Sequence, residues 1–233
     1  MTGDIFPSME VRSPDDALPR VREGVFFEPL QTLPRGRHSL SGEQVQAIQR
    51  ERIMVSMTEL LSAHGPRGFG SAEISRNAGV SLAAFYDCFE SKEACALAIY
   101  DRFIEVLFLR MNAVDVGDKA RPDLVCALIR VYLETLQSDP VVARACQVEI
   151  DTFGASIRKR RRDSLLLFAH HLWGVSSEDS PVGRGPDALP WSAYIGVIYT
   201  ARQLASDALD TEQEPDLIAL SDELAIWVAD LFR

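Results

Sequence analysis

One short stretch, Ala78-Gly79-Val80-Ser81, constrains the fold of this chain more than any other because it separates two short amphipathic segments. Ile74 and Ala78 mark one apolar face of a helix over about 71–77, and Gly79 permits a sharp turn since it has no Cβ to clash. Ser81 is placed to cap a second helix over about 82–87. Two short helices joined by a tight glycine turn form the helix-turn-helix plan, whose second helix enters the major groove of DNA.

Helix signals also flank this stretch on both sides. Ser41 and Gln44 form a capping box that predicts the start of a long helix, and Gly65-Pro66 predicts its end. Ser91 is expected to cap another long helix that begins at Lys92. Further helices are predicted over about 122–137, 140–152, 155–173, 189–208 and 215–232, with a Gly-, Pro- and Ser-rich loop over 174–190. The sequence therefore predicts an all-α fold.

The charge is unevenly distributed along the chain, whose formal net charge is −10. Residues 1–42 carry a net charge of −1, residues 43–100 carry −2, and residues 101–233 carry −7. Binding to DNA depends on cations placed at phosphates rather than on total charge. The segment with the helix-turn-helix pattern is close to neutral, so the acidity of the chain does not exclude DNA binding.

The composition predicts a cytoplasmic globular protein without a cofactor or metal. No apolar run reaches the length of a membrane span, and the N-terminus lacks the pattern of a signal peptide. The four cysteines, Cys88, Cys95, Cys126 and Cys146, lack the spacing of a metal site. They are interpreted as buried reduced thiols, with a redox pair of Cys88 and Cys95 as the alternative.

The motifs around the turn occur in a diagnostic order. They are Gly68-Phe69, Ile74-Ser75, Ala78-Gly79-Val80-Ser81, Phe85-Tyr86, Cys88-Phe89 and Ser91-Lys92-Glu93. In this order they resemble the N-terminal region of the TetR (tetracycline repressor) family of one-component transcription regulators. The chain departs from the family pattern at Cys88, where His is usual, and at 82–84, where many members have Arg or Lys, Gly and Thr.

Residues 1–40 are rich in Pro, Arg and acidic residues without sustained periodicity, which predicts a flexible arm. The resemblance implies a helix-turn-helix DNA-binding domain over 41–91 and a helical ligand-binding and dimerisation domain over 92–233. It implies a regulator, expected to be a repressor, that a small-molecule effector of unknown identity releases from a palindromic double-stranded operator. The expected DNA-binding residues are Ser81, Leu82, Ala83, Ala84, Tyr86 and Lys92. Because 82–84 offer few hydrogen-bonding groups, specificity is expected to rest on thymine methyls and DNA shape.

The resemblance also implies an effector pocket and a homodimer interface in the C-terminal helices. Large or adaptable side chains on the middle helices are the pocket candidates: Phe103, Leu107, Met111, Tyr132, Cys146, Glu149, Phe153, Phe168 and His171. Ordinary core packing is the alternative for each of them. Side chains along the last two helices are the interface candidates: Ile195, Ile198, Arg202, Leu224, Trp227 and Leu231.

The basic run Arg158 to Arg162 has three interpretations. Its side chains are ion-paired within the fold or solvated, contact additional phosphates, or anchor an anionic ligand such as an acyl-CoA. Arg50, Arg52, Arg67 and Arg76 are further candidates for phosphate contacts, with a solvated helix face as the alternative.

Two other classes of protein compete with a regulator. An enzyme is the first, because His170-His171 could supply a base or metal ligands; however, adjacent helical residues point about 100° apart, and no catalytic motif accompanies them. The second is a helical interaction protein of the same fold that has lost sequence-specific DNA binding. Binding to an operator distinguishes both from a regulator.

Overall fold

The computed structural model describes residues 18–30, 40–117, 119–177, 189–212 and 214–233. Within these residues the regular structure is helical, as the sequence predicts. The helices are α1 (Gly42–His64), α2 (Ser71–Ala78), α3 (Leu82–Cys88), α4 (Lys92–Asn112), α5 (Arg121–Ser138), α6 (Pro140–Arg144), α7 (Ala155–Ser177), α8 (Trp191–Thr211) and α9 (Leu217–Leu231). In the part of the chain described, no helix is both long enough and apolar enough to cross a membrane.

The first three helices begin and end at the residues that carry the local signals. The Ser41 hydroxyl and the Gln44 side chain form the predicted capping box at the start of α1. Gly79 ends α2 with a φ of 66°, the left-handed region that favours glycine. The Ser81 hydroxyl accepts a hydrogen bond from the Ala84 amide at 3.1 Å and caps α3. These contacts confirm the helix-turn-helix predicted from the sequence.

Helices α4 to α9 form a second helical layer, in which α9 packs chiefly along α5 and α7 packs on α8. The predicted helix over 140–152 is interrupted. After α6 the chain forms a π-helical turn over Ala145–Glu149 and then a 3₁₀ turn over Ile150–Phe153. We call the first of these the π turn. The helix α7 continues to Ser177, three residues beyond Gly174, where the sequence predicts a loop; residues 178–188 of that loop lie outside the described residues.

Residues 18–30 correct the prediction of a flexible arm over 1–40. We call this segment the strap, because it lies across both helical layers. Phe26 and Phe27 are buried in the core, and the ring of Phe26 stacks on Phe103 of α4 with centroids 5.5 Å apart. Two adjacent aromatic residues supply enough apolar surface to dock a segment that is otherwise rich in Pro and Arg. Residues 1–17 and 31–39 of the predicted arm lie outside the described residues.

Candidate functional site

The second helix of the helix-turn-helix presents an exposed, largely uncharged face. Leu82 is 46% exposed and Tyr86 is 55% exposed, and Ser81 and Ala83 are exposed beside them. The opposite face of α3 is anchored by Phe85, which is fully buried and makes an edge contact with the ring of Tyr86. The arrangement provides a shallow apolar surface with two hydroxyl groups, suited to contact with methyl groups and phosphate oxygens.

Ala84 does not belong to this exposed face, which corrects its assignment as a DNA-binding residue. Its side chain is 6% exposed and lies beside Phe85 on the side of α3 that packs against α1. Its backbone amide is already bonded to the Ser81 hydroxyl. In a helix of seven residues, one face must be buried to hold the helix in place, and Ala84 is on that face.

Side chains of α1 fasten the ends of both short helices. The Arg52 Nε donates to the Ala78 carbonyl at 2.8 Å, and the Arg50 Nη1 donates to the Cys88 carbonyl at 2.9 Å. Each guanidinium thus satisfies a carbonyl that has no partner within its own helix. The interpretation of Arg50 and Arg52 as merely solvated charges is therefore wrong. They hold α2 and α3 at fixed positions on α1.

Lys92 makes contacts within the fold. Its ammonium donates to the carbonyls of Pro66 and Phe69 at 2.6 Å and 2.9 Å, and it lies 4.8 Å from the centre of the Phe69 ring. The side chain thereby ties the first turn of α4 to the loop that precedes α2. A phosphate contact by this ammonium would compete with two charge-assisted hydrogen bonds.

The two cysteines near this region have thiols that resist ionisation. Burial raises the pKa of the Cys88 thiol, and it raises the pKa of the fully buried Cys95 further. The thiolate is the reactive form of cysteine, so both side chains are disfavoured as redox sensors. Cys95 and Cys146 are buried, as predicted, whereas Cys88 and Cys126 are only half-buried.

A cavity of about 40 Å³ lies between α4, α5, α7 and α8. Five pocket candidates line it: Phe103, Leu107, Met111, Tyr132 and Phe168. Burial raises the pKa of Tyr132, whose hydroxyl accepts a hydrogen bond from the Gln147 side chain. The lining is mainly apolar, as it is in small-molecule sites.

The other four pocket candidates are not part of this lining, so the cavity corrects their assignment. Cys146 is buried in the core. Glu149 lies 3.8 Å from Arg144, and burial raises the pKa of its carboxyl. The ring of Phe153 lies under the Lys92 ammonium at 5.6 Å. The ring of His171 packs on the edge of Phe108, and burial lowers the pKa of the imidazole.

The cavity has a polar end that the sequence analysis missed. Gln147 of the π turn lines it together with Tyr132, and the Gln147 Nε2 donates to the Tyr132 hydroxyl at 3.0 Å. Among the described residues of the lining, Arg202 alone carries a formal charge. The sequence signal for this polar end is a glutamine and an arginine in otherwise apolar stretches. Their proximity, however, depends on the fold.

Comparison with known proteins identifies similar bacterial regulators. The family profile of bacterial regulatory proteins of the tetR family matches residues 53–99, which span the helix-turn-helix and the first turns of α4. The regulator EthR of Mycobacterium tuberculosis is 25% identical over 209 residues, which cover 86% of this chain and 94% of EthR. The chain is therefore similar to regulators of the tetR family, most specifically in its helix-turn-helix region.

Solved structures of TetR-like fold extend the similarity over most of the chain. The FadR regulator of Bacillus subtilis in complex with stearoyl-CoA superimposes with a TM-score of 0.66 at 20% identity, covering 76% of this chain and 96% of FadR. NalD of Pseudomonas aeruginosa, the secondary repressor of the MexAB-OprM multidrug efflux pump, has a TM-score of 0.60 at 18% identity, covering 77% of this chain and 94% of NalD. These similarities establish the TetR fold for the C-terminal helices as well.

The interface candidates fall into two groups. Trp227 is exposed, and Ile195, Ile198 and Leu231 are half-buried. Arg202 is 9% exposed in the cavity wall and Leu224 is buried, so the assignment of these two residues to an interface is wrong. Both lie on the sides of α8 and α9 that pack inward. Exposed apolar side chains remain on these helices at Tyr199, Leu204, Ile226 and Trp227.

The basic run at the start of α7 is largely paired within the fold. The Lys159 ammonium lies 2.6 Å from Asp163, Arg160 pairs with Asp101, and Arg161 pairs with Asp151. These pairs support the interpretation of internal ion pairing for three of the five residues. Arg158 and Arg162 are exposed.

Proposed function

We propose that this protein is a homodimeric TetR-family repressor that binds a palindromic operator through α3 and releases it when a small molecule occupies the cavity. The observation that carries the proposal is the pairing of an exposed, rigidly anchored α3 with an apolar cavity. Helix α4 joins the two. Its first residue, Lys92, holds the loop before α2, and four of its later residues line the cavity: Phe103, Ile104, Leu107 and Met111.

The proposed base contacts are apolar. Leu82 and Ala83 are placed to meet thymine methyl groups, and the Tyr86 hydroxyl is placed to donate to a phosphate. Within the described helix-turn-helix, Lys92, Arg50 and Arg52 already bind carbonyls. The proposed phosphate contacts by cations fall instead to the exposed Arg67 and Arg76. Sequence-dependent DNA shape is therefore expected to contribute much of the specificity.

The proposed release works through α4. A ligand that wedges between α4 and the opposite wall favours one position of α4 over another, and α4 carries the loop that positions α2 and α3. An effector that binds one arrangement better than the other shifts the equilibrium by that difference in affinity. Operator binding must weaken effector binding by the same factor.

The proposed dimer forms through the exposed apolar residues of α8 and α9, among them Tyr199 and Trp227. A two-fold dimer presents two copies of α3 to successive major grooves, which explains why a palindrome is expected. We propose that the dimer is located in the cytoplasm, together with the operator DNA that it binds.

A helical interaction protein that has lost DNA binding is the second candidate. The observation that favours it is the scarcity of free cations and of base-reading polar groups on α3. A selection of bound sequences from random duplex DNA distinguishes the two functions, because a regulator enriches one palindrome and an interaction protein enriches none.

The test of α3 uses two exposed leucines as a matched pair. Leu82→Asp changes the proposed DNA face, and Leu109→Asp makes the same change on α4, where Leu109 is 71% exposed. In a fluorescence anisotropy titration with the selected DNA, Leu82→Asp is expected to abolish binding and Leu109→Asp to preserve it. Equal affinities of the two variants would overturn the assignment of α3.

A further inference from the structure

The polar end of the cavity holds a side chain that is buried without a full set of partners. Gln147 is 5% exposed, and its Nε2 donates to the Tyr132 hydroxyl. Its Oε1 has no hydrogen-bond partner among the described residues. Buried polar atoms are almost always paired, so an unpaired amide atom in a cavity wall indicates a place for a ligand's polar group.

Arg202 holds the backbone that carries this glutamine. Its Nη2 donates to the Gln147 carbonyl at 3.0 Å, and the Ser206 hydroxyl, which donates to the Arg202 carbonyl at 2.9 Å, lies 3.4 Å from the Gln147 oxygen. Gln147 lies within the π turn, and such turns occur frequently at functional sites. A ligand group bound here therefore contacts α8 and the π turn at once.

The charges around Arg202 are unbalanced. A single oxygen of Asp151, Oδ2, accepts from both Arg161 and Arg202, the latter at 3.2 Å. The three side chains are at most one quarter exposed and carry one excess positive charge. Glu149, two residues before Asp151, pairs with Arg144 instead. A buried excess charge is unfavourable unless an anion neutralises it.

We propose that the effector is an elongated apolar monocarboxylate, whose carboxylate binds Arg202 and Gln147 while its hydrocarbon body packs on Phe103 and Leu107. The inference rests on the proposed role of the cavity as the effector site. Because Oε1 is an acceptor, the proposal requires the Gln147 amide to rotate, so that Nε2 donates to the carboxylate and the Tyr132 hydroxyl donates to Oε1. The whole molecule is held within the cavity, with no bulky group attached to the carboxyl carbon.

The test compares probes of one chain length by calorimetry on the full-length protein: decanoate, decanol, decylamine and decanoyl-CoA. Decanoate is expected to bind at least tenfold more tightly than decanol, and decylamine is expected to bind most weakly. Equal affinity for decanoate and decanol, binding of decanoyl-CoA alone, or no binding of any probe would overturn the proposal.

Two variants test the residues. Arg202→Met is expected to remove the preference for decanoate while preserving the affinity for decanol, which also shows that the cavity remains folded. Gln147→Met tests the amide in the same way without altering a charge. A preference unchanged in both variants would contradict the assignment. Because calorimetry does not depend on DNA, a protein that binds decanoate but no operator disproves only the proposed function, and the reverse result disproves only the choice of ligand.

A second inference comes from the strap, residues 18–30, which contacts both the DNA-binding helices and the cavity wall. On the DNA-binding side, the Arg20 Nη1 and the Val21 amide donate to the buried carboxylate of Glu59 in α1 at 2.9 Å and 3.2 Å. The Asn77 side chain of α2 donates to the same carboxylate at 3.3 Å. Glu59 therefore joins the strap, α1 and α2 in one hydrogen-bonded cluster.

On the cavity side, the strap makes two contacts. The Arg22 amide donates at 2.8 Å to Asp139, which caps the α6 helix that leads into the π turn. The Phe26 ring stacks on Phe103, a residue of the cavity lining. The same segment thus contacts the α2 anchor, the cap before the π turn and the cavity wall.

We infer that the strap transmits occupation of the cavity to the helix-turn-helix, as a second connection beside α4. This inference also rests on the proposed function. Its test requires no identified ligand, because Ala201→Phe overfills the cavity from α8, where Ala201 is buried in the lining. The effect of Ala201→Phe on operator affinity measures the coupling.

The coupling is measured with and without Phe26→Ala in the full-length chain, which forms a double-mutant cycle. Leu30→Ala is the matched control, because Leu30 belongs to the strap but is 42% exposed. The effect of Ala201→Phe is expected to fall severalfold in the Phe26→Ala background and to persist with Leu30→Ala. An undiminished effect would overturn the role of the strap. An Ala201→Phe variant without effect in the wild-type background would instead contradict the proposed function.

Discussion

Ser81 has two separable roles at the start of α3, and two substitutions distinguish them. Its hydroxyl caps the helix by accepting from the Ala84 amide at 3.1 Å, and its exposed position lies on the proposed DNA face. Ser81→Ala removes the cap, which is expected to lower the free energy of unfolding by about 1 kcal/mol. For a chain of this size, that change lowers the Tm by roughly 2–4 °C.

Ser81→Asp keeps the cap, because an aspartate caps as well as a serine and also interacts favourably with the helix dipole. Its stability is expected to equal or exceed that of the wild type. Its carboxylate, however, faces the DNA backbone. At about 6 Å from a phosphate the repulsion is roughly 0.7–3 kcal/mol per half-site, depending on the effective dielectric constant. Two half-sites give a loss of affinity of at least about tenfold.

Ser81→Ala is therefore expected to be the less stable of the two variants, and Ser81→Asp is expected to lose DNA affinity through charge repulsion. The two quantities are stability and DNA affinity. Chemical unfolding monitored by circular dichroism measures the first quantity, and fluorescence anisotropy with the selected operator measures the second. A Ser81→Asp protein that binds the operator as tightly as the wild type would refute the placement of α3 on DNA. A Ser81→Asp protein less stable than Ser81→Ala would refute the capping argument.

Three further predictions concern the rest of the molecule. Lys92→Met removes two charge-assisted hydrogen bonds to carbonyls, so thermal unfolding should show a loss of about 2 kcal/mol; an unchanged Tm would contradict this role. Because burial lowers the pKa of His171 in the folded state, the unfolded chain binds more protons just below the ordinary pKa of 6.5. Stability should therefore fall as the pH drops through that range, and urea titrations should show a smaller fall with His171→Gln. Trp227→Asp should yield monomers in sedimentation velocity, whereas Leu109→Asp, an exposed control on α4, should remain dimeric; two dimeric variants would place the interface elsewhere.

The elements that the sequence predicts well are those whose signals lie within a few residues. The Ser41–Gln44 capping box and the Gly79 turn each involve neighbouring positions, and both are present in the structure. The same is true of the caps formed by Ser81 and Ser91. Short-range chemistry of this kind needs no knowledge of the fold.

The features that the sequence predicts poorly depend on contacts between distant residues. The strap docks because Phe26 contacts Phe103, 77 positions further along the chain. The composition of residues 1–40 gives no sign of that contact. Arg202 has the spacing of an interface residue, yet it turns inward, where the π turn offers it the Gln147 carbonyl and the following 3₁₀ turn offers it the Asp151 carboxylate. Ala84 differs from its exposed neighbours only through the direction in which α3 packs on α1.

The coupling between the cavity and the DNA face is the central claim, and one titration tests it most directly. The wild type and Ala201→Phe are titrated with the operator selected from random DNA, and unfolding measurements check that both are folded. Ala→Phe adds a ring that overfills a cavity of about 40 Å³ and therefore displaces its walls. The account predicts that the wild type binds the palindrome as a dimer and that Ala201→Phe binds it at least tenfold more weakly. A folded Ala201→Phe protein with wild-type affinity, or a wild type that selects no sequence, would contradict it.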